Sequence, residues 1–440
     1  MTTPTPTTST TDFRAIVEPL LPGYLGRQRW YAGPAPTSAT VVASQTLAEG
    51  LEWLLADAGG GRYQIIVGMR PAGSAPDFLS GNDQAVIGVV GDEIAFDATF
   101  DPTYARALLE IVAPGAEGSL VRPMGAEQSN TSLVFDDRLV LKLFRRLHAG
   151  PNPDVEIPRE LARLGFTHVA APVGVWQRDG VDLAVCVQYL AGAAEGWALA
   201  LTSLRDLYAT GVDDPAAAGG DFGAEAGRLG EVTAGLHLAL AEAFGPSEAG
   251  TSAWAAGVES QMARLDDGDI DSVAAKEFLE RLRAVEQPGA AIRVHGDYHL
   301  GQVMRTDAGW FVLDFEGEPA RSLEQRRRPS SPFKDVAGML RSFQYATAVA
   351  LSERDQGEQE RLAPLGEAWE QRNRMAFLRG YLGTAGIDAL LPEPGADRSA
   401  VLAAFELDKA VYEVLYERAH RPGWVDIPLR AVRRLLDAQE

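Results

Sequence analysis

The stretch Val294–Pro319, VHGDYHLGQVMRTDAGWFVLDFEGEP, decides how this chain is read. Asp297 follows His295-Gly296, Gln302 lies five residues further on, and Asp314 ends the apolar run Trp310-Phe311-Val312-Leu313. A fold alone does not need that spacing, but a phosphoryl-transfer site does. Moving a phosphoryl group to an alcohol needs positioning, a divalent cation to spread charge, and a carboxylate to accept the alcohol proton. Asp297, in a loop, suits the base. Gln302 offers a side-chain carbonyl and Asp314 a carboxylate at a strand terminus, both oxygen donors of the kind Mg²⁺ takes. The order of Asp, amide, apolar strand and Asp-Phe is that of kinase catalytic and metal loops. His295 and His299 suit hydrogen bonding within the loop better than binding a cation that prefers oxygen.

Upstream, Leu141-Lys142-Leu143 puts a lysine inside an apolar strand. Such a charge is costly to bury unless it meets an anion, and the phosphates of ATP would provide one. A carboxylate on the following helix, Glu156 or Glu160, would hold it; taken alone, Glu156 equally suits a helix start. The turn Gln128-Ser129-Asn130-Thr131-Ser132 would cover the phosphates with N–H groups and hydroxyls, although it lacks the usual glycine-rich spacing.

The chain has 440 residues, enough for two or three substructures. Its net charge of -21, from 61 acidic and 40 basic residues, argues against a nucleic-acid binder. Arg326-Arg327-Arg328 then reads as a solvated turn or ion-pair cluster. The single cysteine, Cys186, excludes an internal disulfide and sits in an apolar run, so a core role is expected rather than a catalytic thiol. The start MTTPTPTTSTTDF has no apolar signal core, and no run approaches a membrane span of about 18 residues, so a cytoplasmic, membrane-free protein is expected.

Residues 1 to about 12 read as disordered, with Asp12 capping a helix to Leu21. Strands are predicted at Thr40–Ala43, Tyr63–Met69 and Ala85–Val90, then a helix over Asp101–Val112. Thr131–Phe135 and Leu139–Phe144 read as a hairpin turning at Asp136-Asp137. A helix over Asp154–Leu164 and strands at Val173–Trp176 and Leu183–Tyr189 follow. From about residue 195 the pattern is helical, notably over Arg228–Ala243, Ala274–Ala284 and from Lys334 onward. Residues 213–223 read as a surface loop.

HGDYHLGQ with LDFEGEP resembles the aminoglycoside-phosphotransferase-like branch of the protein-kinase-like fold. QRWYAG, EQSNTSLVF, LKLFRRL, NPDVE, DFEGEPARSLEQRRRPSSPFKDVAGMLRS and ELDKAVYEVLYERAHRPGWVDIPLR together resemble the actinobacterial maltokinase family, from Gln28 to Arg430. The resemblance implies an α+β, bilobal protein-kinase-like fold. Its parts would be an N-terminal cap subdomain (1–90), a β-rich intermediate ATP-binding lobe (91–190) and an α-helical C-lobe (191–440). It implies ATP-dependent phosphorylation of maltose at the anomeric hydroxyl, giving maltose 1-phosphate for α-glucan (glycogen) synthesis. The cofactors would be ATP and Mg²⁺, and the chain would act as a monomer. A kinase of glucosamine or another aminosugar or aminoglycoside is the alternative, and an inert nucleotide-binding scaffold is a third, disfavoured by the intact Lys142, Asp297, Gln302 and Asp314.

Carried over by the resemblance, Asp297 is the base and touches the acceptor with His295, while Gln302 and Asp314 hold Mg²⁺. Lys142, with Glu156, and Ser129, Asn130 and Thr131 meet the phosphates. Gln188 and Leu190 lie at the hinge that would meet adenine. Lys409, Tyr412, Glu413 and Tyr416 share one helical face and would line the sugar site, with Trp424 and Arg430 nearby. Plain packing competes as a reading of the two tyrosines. Arg29-Trp30-Tyr31 reads as pinning the cap.

Overall fold

The computed structural model describes residues 10–31, 33–74, 77–125, 129–266, 268–318 and 321–437. The tail before Thr10 and the turn residue Gln128 lie outside them. The chain forms two compact units, Met1–Arg159 with Ala170–Ala191, and Glu160–Val169 with Gly192–Glu440. Among the described residues no helix is long and apolar enough to cross a membrane.

The first unit is built on two antiparallel sheets. After α1 (Thr10–Val17) and α2 (Leu21–Leu25) come β1 (Ala39–Ala48), β2 (Leu51–Ala58), β3 (Gly61–Pro71), β4 (Val86–Val90) and β5 (Glu93–Asp97), paired in the order β1-β2-β3-β5-β4. Asp12 therefore lies inside α1 rather than at its cap. β2 and β5 escaped the sequence reading. Asp101 accepts from the Thr103 N–H at 2.7 Å and, with Pro102 in the first turn, starts α3 (Pro102–Val112). β6 (Val121–Pro123), β7 (Thr131–Phe135), β8 (Leu139–Leu143), β9 (Arg146–Leu147), α4 (Pro153–Arg163), β10 (Pro172–Arg178) and β11 (Val181–Gln188) follow. The second sheet runs β10-β11-β8-β7-β6, and β9 crosses to pair with β3.

Asp136 and Asp137 take φ of 50° and 51°, turning β7 into β8 where the hairpin was expected. Asp136 also accepts from the Ser119 and Leu120 N–H groups, which fastens the turn. Buried Gln64 donates to the Phe144 carbonyl at 2.7 Å and accepts from Trp53 at 3.1 Å, so a polar side chain in the core is satisfied. Arg145 pairs with Asp97 at 2.6 Å, both buried, and Tyr24 donates to the same carboxylate. Trp30 and Tyr31 sit in this core against Tyr63, in the pinning role expected of them. Cys186 is fully buried in β11, and burial pushes its thiol up to about 11, which rules out a reactive thiolate near neutrality.

The second unit is mainly helical. It contains β12 (Ala194–Glu195), α5 (Gly196–Thr210), α6 (Gly223–Phe244), β13 (Ser247–Glu248), α7 (Thr251–Met262), α8 (Ser272–Arg283) and β14 (Ala290–Ala291). β15 (Val303–Thr306), β16 (Gly309–Val312), α9 (Leu323–Arg327), α10 (Phe333–Ser352), α11 (Gln356–Leu382), α12 (Ala396–His420) and α13 (Asp426–Asp437) complete it. β12, β15 and β16 form a three-stranded sheet. The β15–β16 hairpin and α10 between them fix the stretch Val294–Glu318.

Candidate active site

The loop bearing Asp297 is held from below by one carboxylate. Asp335, fully buried in the first turn of α10, accepts from the His295 N–H at 2.7 Å and the Gly296 N–H at 2.8 Å. His237 on α6 meets the same carboxylate at 3.2 Å through Nε2, and Tyr381 on α11 meets its Nδ1 at 2.8 Å. A carboxylate only accepts, so His237 donates from Nε2 to Asp335, while its Nδ1 shares a hydrogen bond with the Tyr381 hydroxyl. Burial works against the Asp335 charge, but His237 and the loop donors outweigh it and hold the carboxyl below its ordinary value. α10 approaches the loop at Gly338, where a Cβ would stand 2.5 Å from the Tyr298 carbonyl oxygen. Any side chain there would push the loop away.

His295 lies beneath the loop and is 2% exposed. Its Nε2 donates to the Leu313 carbonyl at 2.8 Å, and its Nδ1 faces the Asp297 N–H at 3.4 Å. Both ring nitrogens are occupied, and they tie the Asp297 loop to the residue that follows β16. His299 accepts from the Gly301 N–H at 3.0 Å, and burial brings its pKa down to about 4, leaving it neutral at pH 7.

Asp314 follows directly, with φ at 59°. A non-glycine residue in this region stores about 1–3 kcal/mol of strain, which surrounding contacts must hold. The Leu313 N–H bonds the Gln302 carbonyl at 2.9 Å, and the Gln302 amide meets Asp314 Oδ2 at 3.2 Å. Glu316 brings a carboxylate oxygen within 4.8 Å of one of Asp314. Arg326 on α9 donates to the Glu316 carbonyl at 2.8 Å and fixes that turn. Two carboxylates and an amide oxygen are a hard donor set that fits Mg²⁺.

Asp297 itself faces α12. Lys409 Nζ stands 2.9 Å from Asp297 Oδ1 and 3.3 Å from Glu318 Oε1. Burial pushes the Asp297 carboxyl up, but Lys409 and the neighbouring imidazoles pull harder and bring it to about 2. It is therefore fully ionised at neutral pH. Glu318 also meets Arg321, which reaches Asp408 at 3.7 Å. A small cavity beside Gly296 is lined by Glu318, Lys334, Phe405, Asp408 and Lys409. One helical turn along α12, Glu413 accepts from the buried Arg341 Nε at 2.9 Å. The rings of Tyr412 and Tyr416 stack at 6.4 Å, with Tyr416 42% exposed and His420 stacked beyond it at 4.3 Å. Lys409, Tyr412, Glu413 and Tyr416 thus share a face, and that face begins at Asp297.

The other expected residues belong to the first unit. Lys142 on β8 pairs with Asp154 at 2.8 Å, both largely buried. Asp154 shares the first turn of α4 with Glu156, the residue expected from sequence. Ser129 and Asn130 bond each other at 3.1 Å just before β7, and Thr131 accepts from Arg145 at 2.8 Å. The Gln188 N–H is taken by the Ala171 carbonyl at 2.9 Å, and Leu190 lies just past the end of β11.

Asp335, His237, Glu318, Asp408 and Asp154 were not singled out from the sequence. Asp335 had a signal: an acid inside the apolar run of a helix must find donors.

Comparison with known proteins identifies the family. The family model "Phosphotransferase enzyme family" matches residues 121–365, and that of the maltokinase N-terminal cap domain matches residues 24–101. A glucosamine kinase of Streptacidiphilus jiangxiensis is 31% identical over 360 residues, covering 76% of this chain and 77% of that protein. One of Mycolicibacterium smegmatis is 28% identical over 411 residues, covering 87% and 97%. A solved glucosamine kinase in complex with glucosamine, ADP and inorganic phosphate superposes with a TM-score of 0.70 at 23% identity, covering 98% of this chain and all of that one. The α+β, kinase-like fold expected from sequence is thereby shown, and the chain belongs to the phosphotransferase enzyme family, with a maltokinase-type cap at its N-terminal end.

Proposed function

We propose that this chain is an ATP-dependent sugar kinase that phosphorylates maltose at its anomeric hydroxyl, giving maltose 1-phosphate for α-glucan synthesis. The observation that carries the reading is the Lys409–Asp297 pair, which joins the base to a helix face of the type that binds sugar hydroxyls. Asp297 accepts the hydroxyl proton, and Lys409 keeps it ionised and aimed. Lys142, supported by the acidic first turn of α4, takes ATP phosphate oxygens, assisted by Ser129, Asn130 and Thr131. Adenine meets the main chain around Gln188 and Leu190. Asp314 and Gln302 would hold Mg²⁺, with Glu316 close by, and the ion when bound spreads the charge of the transferred phosphoryl group. Residues 1–90 act as the cap, 91–190 as the ATP-binding part and 191–440 as the catalytic and sugar-binding part, in a cytoplasmic monomer.

The names of the relatives favour a second reading, in which glucosamine is the acceptor. The cavity beside Gly296 sets the carboxylates of Glu318 and Asp408 against Lys334 and Lys409, so its charge does not by itself choose between the two acceptors. Side-by-side assays with ATP–Mg²⁺ and maltose, glucosamine or kanamycin separate the readings. A phosphate on the anomeric carbon of maltose, seen by phosphorus NMR, supports the first. Transfer to glucosamine alone moves the acceptor to the second. No sugar-dependent turnover with any of them, or full turnover in Asp297→Ala, refutes the kinase assignment.

A further inference from the structure

A recess in the first unit, away from the residues given catalytic or binding roles above, carries two arginines in its lining. It is a cleft of about 610 Å³ between the β2–β3 turn and the chain leaving β9. Strand pairing sets its charges, since β9 aligns Arg146 with Tyr63 and Leu147 with Arg62 on β3. Asp57 is the one carboxylate in the lining, and Arg62 already neutralises it through two contacts of 2.8 and 3.0 Å. Arg146 makes no ion pair or side-chain hydrogen bond among the described residues. Arg62 and Arg146 against Asp57 leave the lining with a net positive charge on a chain whose net charge is -21.

The floor of the cleft is the turn Gly59-Gly60, with φ of 55° and 77° between the paired Ala58 and Gly61. Glycine is required there by both conformation and space. A Cβ on Gly59 would stand 2.2 Å from the Tyr31 hydroxyl, while nothing lies within 4 Å of one on Gly60. The main chain of the turn is therefore open to a ligand on one side.

We propose that this cleft binds a phosphate-bearing small molecule, with its phosphate on Arg146 and a hydroxyl-rich body over the glycine turn. Guanidinium groups match phosphate oxygens in pairs, which a single carboxylate group would use less fully. Small-molecule sites occupy about 300–1,000 Å³, far more than a free phosphate fills. Ser38, Asp57 and the main chain of the turn offer the donors and acceptors that sugar hydroxyls need. The site does not depend on which sugar the chain phosphorylates.

Isothermal titration of the full chain with glucose 1-phosphate and with inorganic phosphate tests this, in the wild type and in Arg146→Glu and Arg146→Gln. Glucose 1-phosphate is expected to bind the wild type at least fivefold more tightly than phosphate. Arg146→Glu is expected to weaken it at least tenfold and Arg146→Gln less, with melting and sugar-dependent turnover unchanged in both. Equal affinity for the two ligands, both weakened in Arg146→Glu, would keep the anion site and overturn the hydroxyl-rich body. No binding to the wild type, or the same affinity in all three proteins, would overturn the proposal.

Discussion

Replacing Lys409 by methionine removes the cation shared by Asp297 and Glu318 while keeping most of the side-chain volume. The fall of the Asp297 pKa from 3.8 to about 2 is a net stabilisation of about 2–3 kcal/mol at neutral pH. In the wild type this contribution is present above pH 4 and is lost as pH falls through 2. Without Lys409, burial of Asp297 meets only the lesser pull of the neighbouring imidazoles, and its folded pKa rises. The ionised carboxylate then loses that stabilisation at neutral pH, and the loss shrinks as pH falls. With Glu318 stranded as well, the loss at pH 7.5 should reach about 3–5 kcal/mol. Urea unfolding of both proteins at pH 7.5 and 4.5 reads it. The gap between wild type and Lys409→Met should be largest at pH 7.5 and narrower by about 1 kcal/mol or more at pH 4.5. A gap that stays constant or widens on acidification would show that Lys409 contributes by packing alone, and the electrostatic account of the base would fall.

Asp335→Ala leaves two buried N–H groups and His237 without their acceptor, so unfolding should show a loss of about 3–6 kcal/mol, with Asp335→Asn milder. Gln302→Ala should raise the Mg²⁺ concentration needed for half-maximal turnover about tenfold, with sugar KM unchanged; an unaltered Mg²⁺ titration removes Gln302 from the metal set. Lys142→Met should raise the ATP KM at least tenfold and cost about 3–5 kcal/mol by stranding Asp154. Adding Asp154→Asn should restore stability but not ATP use, and recovery of both would make the pair purely structural.

Local signals carried much of this structure into the sequence. Asp136-Asp137 between two β-branched runs marked the β7–β8 hairpin, and Asp101-Pro102 marked the start of α3. The run ending at Asp314 placed that residue at a strand terminus, where the structure has it. Long-range partners were not legible. His237 lies 98 residues from Asp335, and Lys409 lies 112 residues from Asp297, so no spacing rule connects them. β2, LEWLLADA, lacks clean alternation because its burial is nearly continuous, and it was missed for that reason. The first turn of α4 carries two acids, and only packing shows that Asp154 reaches Lys142.

The Lys409–Asp297 contact has a consequence for how such an enzyme changes its acceptor. On the proposed reading, the residues that would grip a sugar and the residue that would aim the base occupy the same helix, one turn apart. A new acceptor that required α12 to slide or rotate would carry Lys409 away from Asp297 and silence the chemistry. Acceptor preference can therefore diverge only by exchanging side chains at fixed helical positions such as Tyr412 and Tyr416, with the backbone of α12 locked in register. Relatives with different acceptors should superpose along this helix more closely than their sequences suggest.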